Sequence, residues 1–511
     1  MESFVEKHAD RVSGVLSCFD RVLFKGHLPL NRPGAMDVLL NNHGVLVRDF
    51  KPFVARHSER IKAAARAMAE ESGRPYLSAG NGQVRKDEVA AQIARRDAVS
   101  SGLVCVLTAV EACSSFRVIP GEGRPLIVRD RRKCLCLYFY FLDPRFGLIH
   151  VRITTWFPFM VQVCLNGHDW LAARLTAERI GFIRCDNAFL RIDDCGRAQQ
   201  LADQFVRQDW PQILSAFAAK VNPLLGDLLA GMTYYWVTDQ AEYATDVMFR
   251  DAPTLQPLYG KLLEHALVCF GAEDVLAFLG RRLQHGFAGE VLNDMKRRWP
   301  GARIKHRMKE NWIKMYDKHG VVLRVETVIN DPYEFKIRRH GIRQGRVVTD
   351  WFPMAKGVGN LYRYAEVCRA ANHRYLDALA VVPHPGQARQ SLHDLGRRIR
   401  HAGRSYRGFN PLSGPDAALF AAVLRGEHAI HGFRNRDIRA CLFPHAPDPA
   451  QQRRQAARTS RLLKILHVHG LIAKIPRTRR WRVTDRGNCL LATMLKVHAV
   501  EHPDTLLATV A

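Results

Sequence analysis

The sequence predicts an α+β, multidomain protein: a mixed α/β body with β-hairpins, followed by a C-terminal domain of helices and one basic hairpin. Three observations predict it. Period-two alternation and short apolar runs rich in β-branched and aromatic residues mark strands up to about residue 381. Apolar stripes of period 3.6 mark helices between those strands and dominate the last hundred or so residues. A stretch rich in Arg, Gly and Pro, residues 382–414, separates the two parts.

Residues 1–130 read as a mixed α/β region. It holds a strand run within Val12 to Lys25, a polar helix from Phe53 to Glu71 and an apolar run from Leu103 to Ala112. Residues 131–300 read as a β-hairpin plus helices. The run Cys134 to Leu142 meets the breaker-rich turn Asp143-Pro144-Arg145-Phe146-Gly147 and returns as Gly147 to Thr155. In the returning strand, Leu148, His150, Arg152 and Thr154 lie on one side and Ile149, Val151 and Ile153 on the other, which predicts a half-buried strand. Met160 to Leu165 gives a third strand. Helices follow at Trp170–Glu178, Ala198–Val206 and Trp210–Val221, and the pattern from Thr238 to Leu283 also reads as helical. Residues 301–381 read as a central β-hairpin and a helix. Residues 382–414 read as linker, and residues 415–511 as the C-terminal domain.

Charge narrows the partner. Lys and Arg number 76 against 49 Asp and Glu, a net charge of +27. Such an excess suits a polyanion, because each phosphate neutralised releases condensed counterions. The 47% hydrophobic content excludes a mostly disordered chain. None of the twelve cysteines forms a C-x-x-C pair, so zinc-finger spacing is absent and buried reduced thiols are expected. The N-terminus lacks the apolar core of a signal peptide, and Leu135 to Leu142 is too short to cross a bilayer. A cytoplasmic protein with no membrane partner is therefore expected.

The C-terminal domain is the most informative region. Helices are predicted at Pro415–Leu424, Asn435–Leu442 and Gln451–His469. Strands Leu471–Ile475 and Arg480–Val483 flank a basic turn, and a last helix starts at Thr484 or Asp485. That order is the winged-helix order. Leu466 to Ile472 and Val483-Thr484-Asp485-Arg486-Gly487 resemble the "L-x-x-x-G-L-I" and "(L/V)-T-x-x-G" segments of MarR-like winged-helix regulators. Eleven basic residues and one acidic residue lie between Gln451 and Arg486. The expected DNA contacts are Arg453, Arg454, Arg458, Thr459, Ser460, Arg461 and Lys464 on the third helix and Arg477, Arg479 and Arg480 on the wing. A protein-docking module is the competing reading, since a fold does not fix a function. His467 and His469 point apart on a helix and make no metal pair.

Two regions carry candidate chemistry. In the hairpin at Asp317-Lys318-His319-Gly320, cross-strand pairing brings Lys314, Tyr316, Arg324 and Glu326 together. Tyr316-Asp317-Lys318 and Leu323-Arg324-Val325-Glu326 are similar to a pattern in phage and plasmid replication initiators. The resemblance implies Tyr316 as a nucleophile with Glu326 and Arg324 beside it. The His pair on a strand that accompanies that pattern is missing from this sequence, and a solvent-exposed ion pair is the plainer reading. In Thr238 to Phe249, Asp239, Glu242 and Asp246 share one face if the segment is a helix. With Asp20 they could hold Mg²⁺ for phosphodiester cleavage, provided these carboxylates and Glu326 converge. A solvated acidic face is the alternative. No other cofactor is expected.

Segments LSCFDRVLFKG, TTWFPFMVQVCLNGHDWLA, DQAEYATDVMF and KHGVVLRVETVIN resemble a family of bacterial proteins of unknown function along most of the length. Its members look like passengers of mobile elements. The implied function is a DNA-binding protein of transposase or replication-initiator type, acting on duplex DNA. One alternative is a non-catalytic winged-helix transcriptional regulator whose body senses a ligand or forms a homodimer. Another is an RNA-binding protein that stacks bases on Tyr138-Phe139-Tyr140-Phe141, although those residues equally read as a buried core strand.

Overall fold

In the computed structural model, residues 1–499 are described apart from 33, 81–84, 282–289, 298–300, 383–394, 411–412, 429–431, 445–447 and 477. The fold is α+β, built from a large mixed sheet, small two-stranded hairpins and packed helices. The strands are β1 (Val12–His27), β2 (Tyr76–Ser78), β3 (Gly102–Ile119), β4 (Leu126–Asp143), β5 (Gly147–Thr154), β6 (Val161–Asn166), β7 (Phe182–Cys185), β8 (Ala188–Ile192) and β9 (Tyr235–Phe249). They continue with β10 (Val291–Arg297), β11 (Ala302–Met308), β12 (Asn311–Lys318), β13 (Val322–Ile329), β14 (Lys336–Arg343) and β15 (Arg346–Pro353). Four short strands close the set: β16 (Ile399–His401), β17 (Arg404–Tyr406), β18 (Ile472–Lys474) and β19 (Trp481–Val483).

The chain divides into two compact units that do not follow sequence order. The first comprises Met1–Val15, Thr245–Glu326 and Ala370–Ala511; the second comprises Leu16–Ala244 and Thr327–Arg369.

In the second unit the strand order is β9–β1–β6–β5–β4–β3–β2. The β4–β5 hairpin turns where expected, with Asp143 opposite Gly147, which takes a φ of 67°. The strand expected to be half-buried is buried on both sides: His150, Arg152 and Thr154 are as enclosed as Ile149, Val151 and Ile153. The aromatic run of β4 is also enclosed. Tyr138, Phe139, Tyr140 and Phe141 are buried, the Tyr138 hydroxyl donates to Glu111 at 2.6 Å and the Tyr140 hydroxyl donates to Asp87 at 2.7 Å. These rings are packed into the protein and offer no face for stacking bases. Strands β14 and β15 pair only with each other, as a two-stranded ribbon that turns at Gln344 (φ 51°) and Gly345 (φ 78°).

In the first unit the order is β10–β11–β12–β13–β9. The central hairpin gains a strand over the two expected: β11 pairs with β12 in register from Arg303↔Tyr316 to Met308↔Asn311. Three residues, His319 to Val321, join β12 to β13, and His319 and Gly320 take left-handed φ of 54° and 74°. The larger departure is β9. Thr238 to Phe249 is a strand, not a helix. Trp236, Val237, Thr238, Tyr243, Thr245, Val247 and Phe249 are β-branched or aromatic, and the second half of the strand is buried on both faces, so no alternation shows in the sequence.

The C-terminal domain has the expected element order: helices Gly414–Val423, Asn435–Leu442 and Pro449–Val468, then β18, β19 and helix Asp485–Ala499. Gly470 follows the third helix with a φ of 71°, and Phe433 bridges to Trp481 as a third edge of the small sheet. Its core joins Leu419, Phe420, Ile438, Leu463, Leu466, Leu471, Leu490 and Leu491. Leu395 and Phe409 belong to the same core, and Arg407 makes a two-pronged bond to Asp416 at 2.6 and 2.9 Å. The described part of the expected linker therefore folds onto this domain; residues 383–394 lie outside the described residues. Among the described residues no helix is long and apolar enough to cross a membrane.

His306 is fully buried between the Asn293 side chain at 2.8 Å and the Tyr375 hydroxyl at 3.0 Å. Burial pushes it down to about 4. An unfolded histidine protonates near its ordinary value, so this group's stability contribution is present above that value and is lost as pH falls towards 4. The expected loss from His306 between pH 7.5 and 4.5 is about 2–3 kcal/mol. Urea midpoints followed by tryptophan fluorescence at both pH values check this. His306→Gln should flatten the dependence, and an unchanged dependence in that variant counts against the assignment.

Candidate functional site

The second unit holds a polar pocket of about 310 Å³ whose lining includes Asp20, Asp87, His150, Asp169, Asn187 and Glu242. Asp20 comes from the middle of β1 and Glu242 from β9, and their carboxylate oxygens lie within 4.8 Å of each other. Three elements position Asp20. Asn187, in the two-residue turn between β7 and β8, donates Nδ2–H to both carboxylate oxygens at 2.8 and 3.1 Å. Gly167 packs against the backbone of Phe19 so closely that a Cβ would sit 2.2 Å from its carbonyl oxygen. Asn166 caps the helix Gly167–Ala177 by accepting the backbone N–H groups of His168 and Asp169. That cap sets His168, fully buried, with Nδ1 3.4 Å from Asp20 and Nε2 3.5 Å from the Cys18 sulfur.

At the other side of the pocket His150 lies 3.4 Å from Asp87. The hydrogen bond from His150 and that from Tyr140 hold the Asp87 carboxyl well below the usual carboxylate range. Burial pushes His150 down, so its ring is neutral at pH 7 and offers Asp87 a neutral N–H.

Asp239 and Asp246 go elsewhere. Asp239 faces the opposite side of β9 from Glu242 and lies 3.9 Å from Lys25 and 3.5 Å from Gln162. Helical spacing had placed Asp239, Glu242 and Asp246 on one face; the strand separates Asp239 from the other two. Asp246, 1% exposed, is held by Arg324, 0% exposed, through bonds of 2.6 and 2.7 Å. On the central hairpin, Glu326 is buried and accepts from Lys314 at 2.5 Å and from the Tyr316 hydroxyl. Lys314, Tyr316 and Glu326 thus meet as the register required, while Arg324 on the same face turns to Asp246. The pair expected to be solvated is interior, so its charges are held in a low dielectric. Sequence reasoning missed His168, Asn187, Asp87 and His150. The signal for the first was present in Asn166-Gly167-His168-Asp169, a cap residue followed by a histidine in the first turn.

The C-terminal helix Pro449–Val468 separates its residues cleanly. Arg453, Arg454, Arg458, Arg461 and Lys464 are exposed, and at about 100° per residue they fall within an arc of about 140°. Thr459, Leu463 and Leu466 face the core on the opposite side. Thr459 is therefore not a surface contact: it is buried and its hydroxyl donates to the Gln455 carbonyl at 2.9 Å. Ser460 is exposed and accepts from Asn435 at 2.8 Å. The Arg458 guanidinium rests over Phe443 at 5.4 Å. On the wing, Arg479 is exposed, Arg480 is half-buried with its guanidinium donating to the Gly432 carbonyl at 3.1 Å, and Arg477 lies outside the described residues. His467 bonds the Ile472 carbonyl and His469 the Arg407 carbonyl, in different directions.

No protein-family model, curated protein or solved structure matches this chain.

Replacing Asp246 with Ala leaves the Arg324 guanidinium buried without its carboxylate partner. The expected cost is about 3–5 kcal/mol, read as a lowered urea midpoint. Replacing the pair together by Leu and Met should recover much of that loss. A single variant as stable as the wild type would show that the pair does not carry the strand.

Proposed function

We propose that the protein binds duplex DNA through its C-terminal domain and serves a mobile genetic element as a transposase or replication-initiator type of DNA-binding protein. The observation that carries the reading is the third C-terminal helix, with five exposed cations on one side and its core residues on the other. A helix of this kind, following two helices and preceding a basic hairpin, is the winged-helix arrangement, in which the third helix enters the major groove and the wing reaches the backbone. The net charge of +27 supplies the long-range attraction. The mobile-element context rests on the resemblance of segments along the chain.

Strand cleavage is the second reading, and the Asp20–Glu242 pair favours it. Two carboxylates at this spacing, one oriented by Asn187, are hard oxygen ligands of the kind that hold Mg²⁺. A bound divalent ion there would polarise a phosphodiester or activate water. The chain's own residues hold the carboxylates in place and keep His150 neutral beside Asp87.

The triple variant Arg454→Ala, Arg458→Ala, Arg461→Ala tests the first reading by fluorescence anisotropy on duplex DNA. Loss of three phosphate contacts should lower the slope of log Kobs against log salt by about 2.7. Unchanged binding by a normally folded variant refutes the interface. Tighter binding to single-stranded RNA than to duplex favours the RNA alternative, and a footprint confined to a palindrome upstream of its own gene favours the regulator. For cleavage, plasmid nicking with Mg²⁺ or Mn²⁺ should disappear in Asp20→Asn and in Glu242→Gln. Binding without nicking across a range of divalent metals eliminates that reading.

A further inference from the structure

The ribbon β14–β15 is a separate basic element in the second unit. Its two strands pair from Lys336↔Pro353 to Arg343↔Arg346 and form no larger sheet. Because directly opposite residues share a face, one face carries Lys336, Arg338, His340 and Ile342 against Pro353, Trp351, Thr349 and Val347. The other face covers itself. The Phe352 ring fills the space a Cβ on Gly341 would need, with the nearest ring atom at 2.6 Å, and the Arg339 guanidinium lies over that ring at 5.0 Å. Ile337 is buried near the base.

The first face is left open along its whole length. Ile342 is 73% exposed, Val347 75% and Trp351 62%, and the two aliphatic residues face each other beside the turn. Such a group is costly to hold in water without a partner. Its surroundings identify the partner's charge. Residues 336–353 hold Lys336, Arg338, Arg339, Arg343 and Arg346 against one acid, Asp350, which Arg343 already engages. Arg343 and Arg346 stand directly opposite, a like-charge pair that an anion between or beside them would relieve.

We infer that this ribbon is a second duplex-DNA contact, with its arginines on the phosphates and the Ile342–Val347 tip in a groove. A two-stranded ribbon has the width to enter a DNA groove, and apolar tips at such positions wedge against base steps. The inference rests on the duplex-DNA reading and adds an element to it that the C-terminal domain does not supply.

Full-length protein on a duplex that it binds tests this by anisotropy and nuclease footprinting. One variant pairs Arg338→Ala with Arg346→Ala; a second pairs Ile342→Ser with Val347→Ser. All four residues are exposed, so the melting temperature should not change. The arginine variant is expected to bind at least about tenfold more weakly, with the salt slope lowered by about 1.8 for two lost phosphate contacts. The tip variant is expected to lose part of the footprint while the part lost in the Arg454, Arg458 and Arg461 triple variant remains. Wild-type affinity, slope and footprint in both ribbon variants, with binding weakened in the helix variant, overturn the ribbon and leave the C-terminal interface standing. Weakened binding in the ribbon variants alone keeps the ribbon and removes the C-terminal interface. Unchanged DNA binding with loss of a homodimer in sedimentation overturns the inference and makes the open face a protein contact.

Discussion

The buried bond between Arg324 and Asp246 constrains the first unit. A guanidinium with no exposed surface must keep its charge, so it needs a carboxylate in matching two-pronged geometry and in the same dry environment. That match requires β9 to be extended. In a strand, Asp246 falls on the same face as Glu242 and Asp239 falls on the other, which decides the fate of all three acids. On β13 the same alternation carries Glu326 on the face of Arg324, where Lys314 and Tyr316 reach it. A single strand assignment thus gives Asp239 and Asp246 partners of their own and leaves Glu242 close to Asp20.

The Asp20 pocket shows how small local devices place a carboxylate. A capping asparagine, a glycine too close to the neighbouring backbone for a side chain and a two-residue turn each fix one side of it. Together they hold the carboxylate at a set angle, which ligation of a hard divalent ion demands. Arg21 lines the same pocket as a permanent cation, and His150, held neutral by burial beside Asp87, adds no second one.

Positive charge is organised by element as well as by amount. On the helix Pro449–Val468 the cations occupy the side opposite Leu463 and Leu466, so folding the core exposes them. On β14–β15 the open face carries Lys336, Arg338 and His340 beside Trp351, Ile342 and Val347, while Arg339, Arg343 and Arg346 lie on the other face. The first arrangement follows from helical periodicity. The second follows from cross-strand register combined with the aromatic ring that closes the opposite face.

Much of this was legible in the sequence wherever local rules decide the outcome. His319 and Gly320 mark the turn, and period-two alternation puts Lys314 and Tyr316 on one face of β12 and Arg324 and Glu326 on one face of β13. The C-terminal element order follows from apolar spacing, Gly470 and the strand signals around the basic turn. The α+β class follows from the alternation of both periods. Tertiary structure decided the rest. Thr238 to Phe249 reads as helical because its acids happen to recur at helical spacing, whereas packing on both faces makes it a strand. Thr459 sits among arginines in sequence and faces the core in space. Leu395 and Phe409 lie in a Gly- and Arg-rich stretch yet complete a hydrophobic core supplied by residues far along the chain. The meeting of Asp20 with Glu242 could not be read from spacing at all, because 222 positions separate them and only sheet order brings β1 beside β9. Local sequence fixes backbone period and turn geometry; which side chains meet depends on strand order and burial, which are properties of the assembled sheet.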